Sequence, residues 1–395
     1  MTYLGMAIGR FPGLRLDRTG IALVAAVALV GLGAISPPAA LATIDFPTLL
    51  ILFGLMILSA QIAEAGFYDW CADRMAKVHG SPAAVLALVV AIGGVLAALL
   101  SNDVVVFAMT PLLCLGIQRR GLDARPFVLA LAAAANAGSA ATAIGNPQNI
   151  LIAQAGSLDF GPFVTVCGPP TVLALAGVWL VIWLGWKNRW HIPRVAGDHA
   201  IGTPQLDRPM MIKATGATIV LLGLFLTPVP QAISCTLIAA TLLISRRLSS
   251  HRALALVDWH LLVLFAALFI VTGALGQTPV PGQIVQAAQA IGLDLQTLPG
   301  LAVVSLIGSN TIGNVPADMM LLALFPKAPT AWLHGLALLS TLAGNLLLTG
   351  SMANLIAVER AASCGITVSF TDHARSGVPL TLLSFAVALG WLAMV

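Results

Sequence analysis

Apolar runs recur along the whole chain from Ile21 to Val395, and their lengths suit crossing a bilayer core about 30 Å thick. The pattern predicts spans at residues 20–35, 46–66, 160–186, 210–226, 231–245, 259–275 and 378–395, with two more, 126–155 and 331–358, interrupted partway. Two other stretches, 81–118 and 298–326, carry a polar tripeptide near the middle: Ser101, Asn102 and Asp103 in the first, Ser309, Asn310 and Thr311 in the second. Further along each half comes a second polar break, Gly145-Asn146-Pro147-Gln148-Asn149 and then Gly350-Ser351-Met352-Ala353-Asn354. Hydrocarbon does not tolerate unpaired backbone, so such sequence survives at membrane depth only where it lines a cavity or is enclosed by protein. Its appearance twice, in the same order, predicts a duplicated carrier with its site between the halves.

Sidedness refines the topology. If the 81–118 and 298–326 stretches are re-entrant hairpins and the N-terminus is cytoplasmic, 18 of the 19 Lys and Arg residues fall in cytoplasmic segments, Lys327 being the exception. Residues 276–326 contain no Lys or Arg at all. The halves align through Phe53 with Phe265, Ser101 with Ser309 and Asn149 with Asn354. The expected division is a cytoplasmic N-terminus (1–19), a first repeat (20–187), a cytoplasmic loop (188–209), an inverting span (210–226) and a second repeat (227–395). The predicted fold class is an all-α polytopic membrane protein, an inverted-topology repeat with two re-entrant helical hairpins and two interrupted transmembrane helices. Two amphipathic pieces, 67–79 and 282–293, suit helices lying in the interface, either as levers on a moving part or as covers for hairpin backbone.

Composition narrows the class. The chain has 395 residues, 59% hydrophobic and only 9% charged, with a mean hydropathy of +0.97. That excludes an ordinary soluble domain, for which about 25% charged residues is typical. The net charge of +4 lies in loops and orients the chain rather than marking a nucleic-acid partner. The basic N-terminus precedes a run read as a retained span. The five cysteines show no paired spacing and read as packing residues, and no HExxH, GxSxG or P-loop pattern supports hydrolysis or nucleotide use.

The breaks carry the chemistry. Four interruptions create four helix N-termini, which attract anions, and four C-termini, whose carbonyls suit Na⁺. The predicted substrate and ion site is Ser101, Asn102, Asp103, Gly145, Asn146, Pro147, Asn149, Ser309, Asn310, Thr311, Gly350, Ser351 and Asn354. A second tier comprises Asn136, Ser139, Thr142, Asn314, Asn345 and Thr349. Any one of these alone is as well explained by helix capping or interhelical hydrogen bonding; the paired pattern points to a site. Asp103 is the only carboxylate at a hairpin tip, which fits a proton carrier or cation ligand, or a cap for the helix it begins. Glu64 near a span end and Asp318 partway along a hairpin arm have a functional reading as intramembrane acids, but solvation at those places accounts for them better, and His260 and His334 are expected at the interface.

The stretches SNDVVVFAMTP, ANAGSAATAIGNPQNILIA, SNTIGNVPADMML and AGNLLLTGSMANLIAVE resemble the ion transporter superfamily, in its branch of arsenite permeases and sodium/proton antiporters with a citrate transporter-like domain. The resemblance implies a homodimer working as an elevator. A scaffold, here the spans before residue 80 and from 210 to about 275, would hold a transport unit made of the hairpins and the spans after each. In sodium/dicarboxylate relatives both tips read Ser-Asn-Thr and bind carboxylate and Na⁺. Asp103 replaces that Thr at the first tip, as in arsenite-permease-like sequences, which favours proton over sodium coupling. The expected function is ion-coupled secondary transport, by H⁺ or Na⁺, of a small anion or oxyanion across the inner membrane, without other cofactors. The alternatives are a sodium/proton antiporter without anion cargo, an intramembrane enzyme, for which Ser101 beside Asp103 is the nearest nucleophile pair, and a binding receptor without flux.

Overall fold

The computed structural model describes residues 2–8, 16–78, 80–191 and 205–395. Arg10, Arg15, Arg194, His79 and most of the 188–209 loop lie outside the described residues. The order of elements is α1 (Thr2–Ile8), α2 (Arg18–Gly31), α3 (Pro37–Thr43), α4 (Phe46–Glu64), α5 (Phe67–Lys77), α6 (Pro82–Leu99), α7 (Asn102–Arg119), α8 (Arg125–Ser139), α9 (Pro147–Ala155) and α10 (Phe160–Trp186). After α11 (Arg208–Leu224) come α12 (Gln231–Leu243), α13 (Ser250–Ala255), α14 (Trp259–Gly276), α15 (Val280–Ala290), α16 (Leu298–Thr311), α17 (Asn314–Leu324), α18 (Thr330–Ala343), α19 (Met352–Ala362) and α20 (Phe370–Leu392). The series from α2 to α10 recurs element for element from α12 to α20. α6–α7 and α16–α17 are the hairpins; α8–α9 and α18–α19 are the interrupted helices. Among the described residues there is no β-strand, and five helices are long and apolar enough to cross a membrane: α4, α6, α10, α14 and α20.

The repeat extends to the caps. Asp45 accepts from the Thr48 N–H at the start of α4, and Asp258 from the Leu261 N–H at the start of α14. Each hairpin opens on a hydroxyl cap: Ser81 Oγ accepts from Ala84 N–H and Thr297 Oγ1 from Gly300 N–H, each at 3.3 Å. These caps satisfy donors that the first turn leaves free, so chain entry is set locally.

Two bundles result. In the first, helices of the two repeats pair crosswise, α2 on α14 and α12 on α4, with α11 alongside. In the second, α6 packs on α8, α16 on α18, α10 on α20 and α7 on α19. The bundles meet where α5 lies on α7, α14 on α17 and α4 on α9. The amphipathic helix α5 therefore covers hairpin backbone, whereas α15 buries none of its residues and rests on α14 and α17.

Three expectations need correction. The second tripeptide is not the hairpin's turn: α16 runs helically through Ser309, Asn310 and Thr311, and the chain breaks at Ile312–Gly313. Asn310 Nδ2 donates to the Leu306 carbonyl and Thr311 Oγ1 to that of Ile307, stitching the last turn closed, and Gly313, at φ +96°, takes the conformation that side chains resist. Asp318 is fully buried instead of solvated. His334 is also buried, its ring edge-on to Phe163 at 5.5 Å.

Close helix crossings rest on glycine. A Cβ on Gly138 of α8 would overlap the Gly94 backbone of α6, whereas one on Gly216 of α11 meets nothing within 4 Å. Gly138→Ala is therefore expected to cost about 1–3 kcal/mol by overpacking. The check is a lowered thermal unfolding midpoint in detergent, with Gly216→Ala unchanged or slightly raised.

Candidate functional site

Both interrupted helices are closed by one asparagine each, and the two closures are copies. Asn149 Nδ2 donates to the carbonyls of Ser139 (3.2 Å) and Thr142 (3.0 Å) across the first break. Asn354 Nδ2 donates to those of Gly344 (2.9 Å) and Leu347 (3.2 Å) across the second. Each spans ten and seven residues back along the chain. Each side-chain oxygen then accepts from the opposite repeat: Asn149 Oδ1 from Thr341 Oγ1 at 3.2 Å, Asn354 Oδ1 from Asn136 Nδ2 at 3.0 Å. Asn136 and Thr341 are themselves repeat-related, 205 residues apart (136→341), as are Asn149 and Asn354 (149→354). The amides thus satisfy carbonyls that a helix end leaves open and tie the halves together in the same act.

Asn136 is the most connected of these groups. It also donates to Asn345 Oδ1 at 3.0 Å, and its Oδ1 accepts from Ser351 Oγ (2.7 Å) and Asn102 Nδ2 (3.4 Å). Asn146 and Gln148 reach Thr341 Oγ1 at 3.2 and 3.3 Å, and Asn146 also reaches Ser139 Oγ at 2.9 Å. Thr142 Oγ1 bonds the Ala98 carbonyl at 2.6 Å, fastening the first break to the first hairpin. In the second hairpin Ser309 Oγ donates to Ser340 O, and Asn310 links Ala343 O and Leu347 N.

These ties bring the four half-helix starts to one small cavity of about 110 Å³. Its wall includes Asn102, Pro147, Asn314 and Met352, the first residues of α7, α9, α17 and α19. Asp103, Gln148, Gly313, Pro316, Thr349, Gly350 and Ser351 also line it, with Leu261, Leu264 and Arg18 from the other bundle. The Arg18 guanidinium approaches the Gly313 turn, and among the described residues no carboxylate pairs with it. Four partial positive helix ends and one guanidinium facing one carboxylate make a cavity suited to a small anion.

Asp103 also reaches a second, wider space of about 780 Å³ between the bundles, lined by Ser101, Phe107, Ala108, Glu64, Asp69, Asp258, Arg252 and Arg360. Glu64 and Arg252 pair at 3.0 Å within the first bundle, and Arg360 lies over the Phe107 ring at 4.1 Å. Burial pushes the Asp69 carboxyl on α5 upward. Asp103 and Leu261 line both spaces, so Asp103 is the polar group common to cavity and vestibule.

The predicted site residues divide by position. Asn102, Asp103, Pro147, Gly350 and Ser351 line the cavity, as do Asn314 and Thr349 of the second tier; Ser101 lines the vestibule. Asn146, Asn149, Asn354, Asn136, Ser139, Thr142 and Asn345 form the buried framework behind it, with Gly145 packed on the Ser139 backbone and Ser309, Asn310 and Thr311 bonded to main chain. Sequence reasoning missed Thr341, although its 205-residue offset from Asn136 would have found it. It also missed Arg18, because a basic residue at the mouth of a span reads as a topology signal. Alanine at Asn149 or Asn354 takes the side-chain donor from the Ser139 or Gly344 carbonyl, at about 1–3 kcal/mol per lost partner, while the Thr142 and Leu347 carbonyls keep the backbone N–H of Gly145 and Gly350. The two variants are expected to lower the unfolding midpoint by closely similar amounts; a large difference between them would refute the equivalence.

Comparison with known proteins agrees with this architecture. The chain is 30% identical over 369 residues to a 46 kDa membrane protein of Mycobacterium leprae, covering 87% of this chain and 85% of that one. It is 27% identical to the silicon efflux transporter LSI3 of Oryza sativa, covering 96% and 93%. Its fold resembles the YdaH transporter of Alcanivorax borkumensis (TM-score 0.60, 14% identity, 96% and 89% covered) and MtrF of Neisseria gonorrhoeae (TM-score 0.59, 13% identity, 100% and 92% covered). The family model described as citrate transporter matches residues 3–343, and with the duplicated hairpins and broken helices around one cavity, the chain belongs to the citrate transporter family, as a membrane-embedded transporter and not an enzyme.

Proposed function

We propose that the chain is an ion-coupled elevator carrier of a small anion or oxyanion, with the proton as its coupling ion in preference to Na⁺. The observation that carries this reading is the convergence of four helix N-termini and Arg18 on one cavity of about 110 Å³. A site built for a bare cation would present carbonyl ends instead. Citrate in the family's name and silicon in the rice relative's both suit an oxygen-rich cargo.

Electroneutrality supplies the coupling. Two like charges 4 Å apart repel by about 4 kcal/mol at an effective dielectric near 20. An anion therefore enters beside Asp103 once that carboxyl holds a proton, and Arg18 balances whichever negative charge is present. Asp103 opens onto the vestibule, which gives the proton a path from water. The vestibule's charged residues are those that the positive-inside pattern assigns to the cytoplasm, so this conformation is the cytoplasm-facing one. The second bundle supplies most of the cavity wall and slides against the first along α5–α7, α14–α17 and α4–α9; the first bundle holds the homodimer.

The decisive measurement is flux in sealed vesicles with imposed pH and Na⁺ gradients, after a thermal-shift screen against arsenite, sulfate, phosphate, citrate and C4-dicarboxylates. Asp103→Asn is expected to abolish or uncouple proton-driven flux while the protein still folds; wild-type flux with an unchanged pH profile rules that role out. Arg18→Gln is expected to weaken apparent cargo affinity by about tenfold or more, equivalent to about 1.4 kcal/mol, with Arg18→Lys intermediate. Sodium flux that depends on pH but on no anion would replace this reading with sodium/proton antiport.

A further inference from the structure

We propose that Asp318 is a second proton-binding group, set inside the hairpin of the second repeat and reached from the tip cavity past Asn314. Asp318 sits on α17 one turn beyond Asn314 and has no solvent exposure. Ser340 of α18 donates to its Oδ2 at 2.9 Å, while Oδ1 has no hydrogen-bond partner. Two other buried oxygens nearby are equally orphaned: Asn314 Oδ1, on the residue that lines the cavity, and Ser305 Oγ, one turn from Ser309 on α16. Ser309 Oγ in turn donates to the Ser340 carbonyl, so α16, α17 and α18 share this polar seam.

No helix packed on α17 presents a positive charge to it, and Arg18 of α2 lies beyond it, at the Gly313 turn on the cavity wall. The helices packed on α17 are α9, α14, α15, α16 and α18. None carries Lys, Arg, Asp or Glu; their only titratable side chains are His260, exposed in the first turn of α14, and His334, almost two turns before Ser340 on α18. A carboxylate buried without a counter-charge costs several kcal/mol, and proton uptake (–CO₂⁻ + H⁺ → –CO₂H) removes that cost. The acid form also turns the orphaned Oδ1 from an acceptor without a donor into a donor. Na⁺ fits less well. A hard cation asks for several oxygen ligands, and Ser340 spends its hydroxyl hydrogen on the carboxyl itself. The proposal stands on the burial of this group and not on the identity of the cargo. Its use in transport rests on the proton-coupled reading.

Infrared difference spectroscopy of the full chain in detergent tests it without a substrate. A protonated carboxyl C=O band is expected at pH 7. It should persist in Asp103→Asn, vanish in Asp318→Asn and shift to higher wavenumber in Ser340→Ala, which removes the one bond to the group. In Asn314→Leu its exchange on transfer to D₂O should slow several-fold. A band unchanged in Asp318→Asn, or loss of the wild-type band on adding NaCl alone, overturns the proposal. Should Asp318→Asn not fold, a wild-type spectrum with no band sensitive to Ser340→Ala does the same. Loss of anion flux in Asp103→Asn with the band intact would leave this site standing, and so separates the two ideas.

Discussion

Unpaired backbone has no place in hydrocarbon, and the whole molecule is arranged around meeting that condition at four broken helices. The solution is economical in residues: one asparagine per interrupted helix gathers two carbonyls with its amide nitrogen and hands its oxygen to the other repeat. Because those oxygens are claimed by Thr341 and Asn136, neither break is complete without the opposite half.

The functional cavity follows from this arrangement. With the carbonyl ends tied up by side chains, the helix ends that face the centre are the N-terminal ones, with their partial positive charge, although Asn102, Asn146 and Ser351 each cap one first-turn N–H. The cavity is small because the four starts are drawn together by a buried network, not by loops. Charge inside it is scarce. Arg18 and Asp103 are the charged side chains on its wall, so a single proton on Asp103 changes its balance by a large fraction.

The two bundles differ in how they are held. Both contain a close glycine crossing, Gly54 on the Cys235 backbone in the first and Gly138 on Gly94 in the second, but only the second has the network of buried asparagines. The asparagine network joins both hairpins and both broken helices of the second bundle, so those elements are braced against one another by side-chain hydrogen bonds. Membership of the citrate transporter family places this architecture among transporters, and the likeness to YdaH and MtrF is one of fold.

Hydropathy alone determined a great deal: the helical membrane class, the order of elements, the two hairpins, the two broken helices and their repetition. These follow from how many apolar residues stand in a row and where polar ones interrupt them, which is information local in the chain. The residues at the breaks were legible for the same reason. Which of them face the cavity and which brace it was not, since Asn102 and Asn136 look alike in a sequence and differ only in what surrounds them. The place of the second turn, at Gly313 and not at Ser309, depended on hydrogen bonds across the last turn of α16 and to α18. Arg18 at the cavity and Asp318 in a dry seam were likewise decided by tertiary packing, because burial and charge pairing arise between segments that only the folded chain brings together.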